Sequence, residues 1–117
     1  ERVGLDYKAL PKDVDRGSTL LLDDGRIVMW VEEVRGNEIV CQVRQGGVLS
    51  SNKGINRQGG GLSAAALTNK DKEDIKTAAA LKADYLAVSF PRNAADMILA
   101  RELMHAAGGH SLLVAKI

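Results

Sequence analysis

A run of three glycines, Gly59-Gly60-Gly61, divides the chain into halves whose apolar residues recur with different periods. Before the run, two short apolar or β-branched stretches and one stretch that alternates apolar and polar residues are typical of β-strands. After it, helical stripes alternate with continuous apolar runs, a pattern typical of helices combined with a parallel sheet. Three glycines are costly to hold in one conformation, so the run indicates either a flexible linker or a hinge. We therefore expect two units, residues 1–58 and residues 62–117, joined by residues 59–61.

The first half predicts an antiparallel β-meander. Its strongest local signal is an Asp-Gly pair between two apolar stretches, which favours a hairpin turn. Three strands cannot close on themselves, so we expect further strands either from residues 1–10 and 48–55 or from chain outside this sequence. The strands and the first turn are expected at Ser18–Leu22, Asp23-Asp24-Gly25, Arg26–Val34 and Ile39–Arg44.

The second half predicts two helices. Thr68 followed by Asp71 resembles a capping box, which marks the start of the first helix. Asn93 can cap the second helix, which we expect to end at Gly108-Gly109. The buried face is expected to hold Ile75, Ala78 and Ala79 in the first helix, and Leu99, Leu103 and Ala106 in the second.

Two apolar runs in the second half predict strands. Tyr85–Phe90 is nearly continuous, which is typical of a strand buried on both faces, and Leu112–Ile117 follows the second helix. Strand, helix and strand in this order predict a right-handed βαβ unit with a parallel pair. Such a unit leaves its sheet edges unpaired. We therefore expect the sequence to be a piece of a larger α/β protein.

Composition excludes several classes of function. Sixteen basic and fifteen acidic residues give a net charge of +1, which argues against a nucleic-acid partner and against a polybasic membrane anchor. No apolar run approaches the roughly 20 residues of a membrane span. The single Cys41 excludes an internal disulfide and, without an export leader, suits the cytoplasm. Cys41 itself is expected to be a small buried apolar residue.

Chemistry-bearing residues are expected at the carboxyl ends of the parallel strands, where such folds place their functional groups. Lys116 closes the last strand, and a lysine at a buried strand end is unusual because an ammonium needs an anionic partner there. The alternative is a frayed terminal lysine in solvent. Ser89 closes the preceding strand, followed by Phe90 and Arg92; its hydroxyl could equally satisfy a local backbone group.

A second candidate lies in the first half. Lys53 is flanked by small polar residues and glycine, and such a lysine could contact a phosphate as a point charge. The segment does not match a P-loop, so a solvated surface lysine is the alternative. Asp23 and Asp24 could bind magnesium, but Asp-Asp-Gly is first of all a turn. His105 and His110 have no partners at metal-ligand spacing.

Several strings of the sequence together resemble the pyruvate kinase family, in order and in spacing. The glycine run followed by Leu62-Ser63 is most similar to the bacterial type II members. The resemblance covers essentially the whole chain. The strings are LLLDDG at residues 20–25, SNKGIN at 51–56, LTNKDKEDI at 67–75, DYLAVSFPR at 84–92 and VAKI at 114–117.

The resemblance implies a specific architecture. Residues 1–58 would be the later part of a mobile β-barrel lid, the family's B domain, and residues 59–61 a hinge. Residues 62–117 would return to a central (β/α)₈ barrel of the TIM type and supply its third and fourth strands. The chain would thus be an α+β and α/β fragment, a partial β-barrel lid followed by a βαβ piece of the barrel.

The resemblance also implies roles for the candidate residues. The family transfers the phosphoryl group of phosphoenolpyruvate to ADP. Lys116 would contact phosphoenolpyruvate and stabilise the transferring group, with Ser89, Phe90 and Arg92 in support. Lys53 would contact nucleotide phosphates. Asp24 would lie at the lid turn that faces the cleft. Lid closure would exclude water.

The resemblance further implies Mg²⁺ and K⁺ as cofactors and a homotetramer as the parent protein. The magnesium-binding glutamate of the family follows the Lys-Ile pair directly, and the sequence stops at Ile117. The potassium ligands would also lie elsewhere. We therefore expect the parent to be an enzyme and this chain alone to be inactive. The alternatives are a non-catalytic β module that binds nucleotide phosphates, or a structural fragment without activity.

Overall fold

A computed structural model describes all residues from 1 to 117. The chain forms two compact units, Glu1–Ala64 and Ala65–Ile117, which we call unit 1 and unit 2. Each has a hydrophobic core of its own. None of the helices is both long enough and apolar enough to span a membrane.

Unit 1 is a four-stranded antiparallel sheet preceded by a short helix. The strands follow the order β3-β2-β1-β4 across the sheet. The sheet is therefore open, with β3 and β4 at its edges. The elements are α1 (Leu10–Asp13), β1 (Thr19–Leu22), β2 (Ile27–Arg35), β3 (Glu38–Gln45) and β4 (Ile55–Arg57).

Turn residues explain the meander. The amide of Arg26 donates to the carbonyl of Asp23, and the two residues between them, Asp24 and Gly25, have φ of 56° and 81°. Positive φ at both central residues is what a type I′ hairpin turn requires, and Asp-Gly is a favoured pair there. The sequence prediction of a hairpin at this position is confirmed.

The fourth strand does not come from the first ten residues. That segment forms no strand; it leads into α1, where Leu10 is 1% exposed and Pro11 follows it. Proline lacks an amide hydrogen and has a fixed φ, so it suits the first turn of a helix and cannot contribute fully to a sheet ladder. The fourth strand is Ile55–Arg57, which begins only at the last residue of the other predicted segment, residues 48–55.

The core of unit 1 lies between α1 and one face of the sheet. Cys41 is only half-buried, so the expectation of a buried cysteine is wrong in degree. The reason is its place on the edge strand β3, where Val43 is also 55% exposed. Partial burial, together with the nearby charge of Glu32, raises the pKa of the Cys41 thiol. The buried core residues are Leu10, Val14, Leu20, Leu22, Ile27 and Val31.

Unit 2 alternates helices and strands. Thr68 and Asp71 form the expected capping box, since each side chain accepts a hydrogen bond from the other's backbone amide. Asn93 caps the second helix by accepting from the amide of Asp96, and Gly108 follows its end with φ of 81°. These predictions are confirmed. The elements are α2 (Asn69–Ala80), β5 (Tyr85–Ser89), α3 (Ala94–Ala106) and β6 (Leu112–Lys116).

The two strands of unit 2 are parallel and pair in register from Tyr85–Leu112 to Ser89–Lys116. The expectation that the first strand is buried on both faces is wrong. Leu86 and Val88 face the helices, but Tyr85 on the other face is 67% exposed. The reason is that β5 has only β6 as a sheet neighbour, and side chains of the helices pack against only one face of this pair.

The buried face of α3 also differs from the expected one. Ala100 and Met104 are fully buried, whereas Leu99 is 38% exposed and Ala106 is exposed; Leu103 is half-buried, as expected of a stripe residue. The buried face differs because Gly109 packs closely against Met104 of α3 and Ala79 of α2. A Cβ at Gly109 would lie 2.2 Å from the Met104 sulfur and 2.8 Å from the Ala79 Cβ. Glycine and alanine allow this approach, which sets the rotation of the helix. In α2, Ile75 and Ala79 are buried as expected.

Candidate functional site

The carboxyl ends of β5 and β6 bring Ser89 and Lys116 side by side. The two residues are register partners in the parallel ladder. The amide of the next residue, Phe90, donates to the carbonyl of Lys116 at 2.8 Å, which extends the pairing one step beyond β5. Parallel α/β proteins bind ligands at this edge of the sheet. This edge is therefore the candidate site of unit 2.

Phe90 has an unusual backbone conformation. Its φ is +50°, in the left-handed region that a bulky side chain rarely occupies, and its side chain is 56% exposed. Such a conformation costs about 1–3 kcal/mol and persists only where the surroundings over-determine it. Strained residues of this kind concentrate at functional sites, so the conformation supports the assignment of this edge of the sheet as a functional site.

Lys116 is exposed rather than buried, which corrects the expectation of a buried strand end. The strand end is open because β6 pairs with β5 alone. No carboxylate lies within 4.0 Å of its ammonium, since no ion pair of the chain includes it. The carboxyl ends of the two strands therefore present an uncompensated cation to solvent.

Arg92 is held by Asp96. The backbone amide of Arg92 donates to Asp96 Oδ2 at 2.8 Å, and its Nε and Nη2 donate to Oδ2 and Oδ1, each at 3.2 Å. The hydrogen bonds from Arg92 hold the pKa of the Asp96 carboxyl below its usual value, and the same pairing raises the pKa of Arg92. The guanidinium of Arg92 is thus largely committed to a neighbour within the unit.

The candidate site of unit 1 is the turn between β1 and β2, where it meets the loop before β4. The ammonium of Lys53 lies 3.8 Å from Asp23 Oδ1, and Arg26 lies 3.8 Å from the other oxygen of the same carboxylate. The amide of Asp23 also donates to the carbonyl of Gly54. Asp24 is exposed and makes no ion pair. Lys53 stays 40% exposed, so its pairing leaves the ammonium accessible to an anion.

Two residues that the sequence reasoning left out of its sites belong to these arrangements. Asp96 was not among the candidate residues, yet its two carboxylate oxygens accept hydrogen bonds from the guanidinium of Arg92. Asp23 pairs with Lys53, and nothing in the local sequence around either residue indicates that contact.

The acidic, histidine and cysteine side chains form no group of three or more that could hold a metal ion. The ring centroids of His105 and His110 lie 6.3 Å apart, without a third ligand. The carboxylate of Asp23 is shared by two cations. We therefore derive no metal-dependent step from the residues of this chain.

Known proteins match the chain over its entire length. A family profile described as "Pyruvate kinase, barrel domain" covers residues 1–117. Over all 117 residues the chain is 57% identical both to Pyruvate kinase II of Salmonella typhimurium and to Pyruvate kinase of Haemophilus influenzae, and 38% identical to Pyruvate kinase of Corynebacterium glutamicum. It spans about a quarter of the length of these curated relatives, 24% or 25% in each case. The chain belongs to the pyruvate kinase family.

Proposed function

We propose that the protein to which this chain contributes transfers the phosphoryl group of phosphoenolpyruvate to ADP, giving pyruvate and ATP. The observation that supports this best is the family match over all 117 residues. Because the chain spans about a quarter of its relatives' length, the proposal concerns the whole protein. We expect the 117 residues alone to be inactive.

Lys116 is proposed as the residue that contacts phosphoenolpyruvate. Its ammonium is exposed at the carboxyl end of β6 and has no carboxylate partner. A fixed cation there would stabilise the negative charge that spreads over the phosphoryl oxygens and the enolate during transfer. Ser89 and Phe90 would support it from the adjoining strand end. Arg92 is proposed in a supporting role as well, since its guanidinium is occupied by Asp96.

Lys53 is proposed as a contact for nucleotide phosphates. An accessible ammonium next to the tight turn of unit 1 can approach a phosphate without burial of its charge. Its pairing with Asp23 would hold the side chain near the turn until an anion competes for it. Asp24 is proposed at the same turn, with its exposed carboxylate facing the nucleotide side.

The family's architecture suggests an assignment for the two units. We propose residues 1–58 as part of a β-barrel lid, residues 59–61 as the hinge and residues 62–117 as a piece of a (β/α)₈ barrel of the TIM type. The antiparallel sheet of unit 1 and the parallel pair of unit 2 are compatible with this division. All three glycines have positive φ, between 79° and 87°, which other residues adopt rarely.

The remaining expectations belong to the whole protein. We propose Mg²⁺ and K⁺ as its cofactors, with ligands outside this chain, and a homotetramer in the cytoplasm as its form. Magnesium would offset phosphate charge during the transfer. The partners proposed for this chain are phosphoenolpyruvate and ADP or ATP.

A chimeric enzyme tests the proposed activity. Residues 1–117 replace the matching segment of the Salmonella Pyruvate kinase II, and pyruvate formation from phosphoenolpyruvate and ADP is measured. We expect turnover in the chimera, and a loss of about 100-fold or more in kcat for Lys116→Met, the scale seen when one charge-stabilising group is removed. Lys76→Met is the control, because Lys76 forms only an exposed ion pair with Glu73.

The outcomes separate the alternatives. A folded chimera without turnover would contradict the proposed activity, whereas full activity in Lys116→Met would contradict only the role proposed for Lys116. If that inactive chimera still bound Mg-ADP and lost the binding in Lys53→Ala, the chain would be a nucleotide-binding module instead. If it bound neither substrate, the chain would be a structural fragment.

A further inference from the structure

We propose that Asp96 is a positioning residue, which acts through Arg92 to hold the strand-end loop, Phe90–Arg92, and with it the end of β6 that carries Lys116. This inference rests on the proposed phosphoryl transfer and adds to it a residue that has no contact with substrate. The starting observation is the three hydrogen bonds that Asp96 accepts from Arg92.

Asp96 is itself anchored in the core of unit 2. It lies in the first turn of α3, where its amide donates to the cap residue Asn93. It shares a helical face with Ala100 and Met104, which are both fully buried, and it is only 8% exposed. Its carboxylate therefore extends from a helix that is anchored in the core of unit 2.

Asp96 restrains the strand-end loop from one side, while β6 restrains it from the other. The amide of Arg92 donates to Asp96 at 2.8 Å, and the amide of Phe90 donates to the carbonyl of Lys116 at 2.8 Å. Pro91, between them, has a fixed φ. Phe90 is thus held in its left-handed conformation, with φ of +50°, between two anchored hydrogen bonds.

The pairing of Asp96 with Arg92 also sets the charge at the strand end. A bidentate carboxylate on a guanidinium is among the stronger and more directional pairings in proteins. It compensates the charge of Arg92, so that the uncompensated cation at this edge of the sheet is Lys116. Asp96 thereby governs both the geometry and the charge of the strand end, although its own carboxylate is turned to Arg92.

The test uses the chimera, with kcat and KM for phosphoenolpyruvate measured separately. A displaced Lys116 would lose mainly its stabilisation of the transition state, and such a loss lowers kcat more than it changes KM. We therefore expect Asp96→Ala to lower kcat about tenfold, while KM changes less than about twofold. A tenfold loss is smaller than the roughly 100-fold loss of rate that a misplacement of about 1 Å can cause. Asp96→Asn, which keeps an acceptor for the Arg92 amide, should lose about threefold.

A double-variant cycle separates positioning from general destabilisation. If Asp96 acts through Arg92, Arg92→Ala combined with Asp96→Ala should lose no more kcat than the worse single variant. Glu73→Ala is the matched control, because it removes an exposed helical carboxylate whose only ion pair is with Lys76. All assays are run well below each variant's unfolding temperature, so that loss of folded protein does not contribute.

Each outcome decides the inference. An active chimera in which Asp96→Ala keeps native kcat, or in which the two losses multiply, overturns the positioning role and leaves the proposed activity intact. If Asp96→Ala does not fold, Asp96→Asn decides by the same criterion. A folded native chimera without turnover overturns the proposed activity, and the positioning role falls with it.

Discussion

Asp13 joins two distant stretches of unit 1 through one carboxylate oxygen. Its Oδ2 accepts hydrogen bonds from the hydroxyl of Tyr7 and from both the amide and the hydroxyl of Ser63. These bonds tie the stretch before β1 to the residues just after the glycine run. The hydrogen bond from Tyr7 is the main cause that lowers the pKa of the Asp13 carboxyl, and the bonds from Ser63 and the charge of Arg57 lower it further.

The lowered pKa predicts a pH-dependent contribution to stability. A carboxylate whose pKa is lower in the folded state stabilises the fold fully above its unfolded pKa, about 3.9, and loses this effect as pH falls through the folded value. Asp13→Asn should therefore lower the unfolding temperature near pH 7, and the difference from wild type should shrink below about pH 4. Thermal unfolding followed from pH 2.5 to 7, as an approximate range, measures this.

Asp6→Asn is the control for this prediction, because Asp6 is exposed and makes no ion pair or side-chain hydrogen bond in the structure. It should leave the unfolding temperature nearly unchanged across the range. A constant difference between Asp13→Asn and wild type at every pH would show that the Asp13 charge has no part in the contact.

Local signals predicted the ends of elements well and their buried faces less well. The Asp24-Gly25 turn and the caps at Thr68 and Asn93 depend on residues within three positions of one another, so the sequence contains all that decides them. The rotation of α3 depends on Gly109 and on α2 across the core, and the apolar pattern of Leu99 gives no information about those neighbours. The contact between Lys53 and Asp23 was not predicted for the same reason, because the two residues are distant in the sequence.

Gly109 is predicted to be essential for the packing of α2 against α3. Gly109→Ala would place a Cβ 2.2 Å from the Met104 sulfur and 2.8 Å from the Ala79 Cβ, so at least one of them must move. We expect a loss of about 1–3 kcal/mol in the free energy of unfolding of unit 2, the usual effect of overpacking. Chemical denaturation of the 117-residue chain, with a probe in unit 2, measures it.

Gly4→Ala in unit 1 is the control for the glycine-to-alanine change itself, since a Cβ there meets nothing within 4 Å and its φ is not positive. It should change the same free energy by less than about 0.5 kcal/mol. Native stability in Gly109→Ala would mean that the end of α3 shifts to accommodate the methyl group, and that the close approach does not set its rotation.

At the scale of the whole molecule, family membership came from strings spread along the chain, not from composition. A net charge of +1 and a content of 3% aromatic residues select no reaction. The LLLDDG, SNKGIN and DYLAVSFPR strings correspond to the β1–β2 turn, the loop before β4, and β5 with its strand-end loop. Those are the places where the structure puts Lys53, Asp24 and Phe90. The exposure of Lys116 and Tyr85 was not predictable, because it depends on how many strands flank β5 and β6.

The two units have separate cores, and this predicts separate responses to core substitutions. Met104→Ala in unit 2 and Leu10→Ala in unit 1 each remove a side chain that is at most 1% exposed, so each should cost about 2–5 kcal/mol. The buried clusters that hold these residues share no member.

Hydrogen exchange of the 117-residue chain, resolved by segment, should show lost protection in β5 and β6 for Met104→Ala, and in β1 and β2 for Leu10→Ala. Each variant serves as the control for the other, because the two truncations are similar in size and burial. Equal loss across both units in either variant would mean that the chain unfolds as one cooperative body.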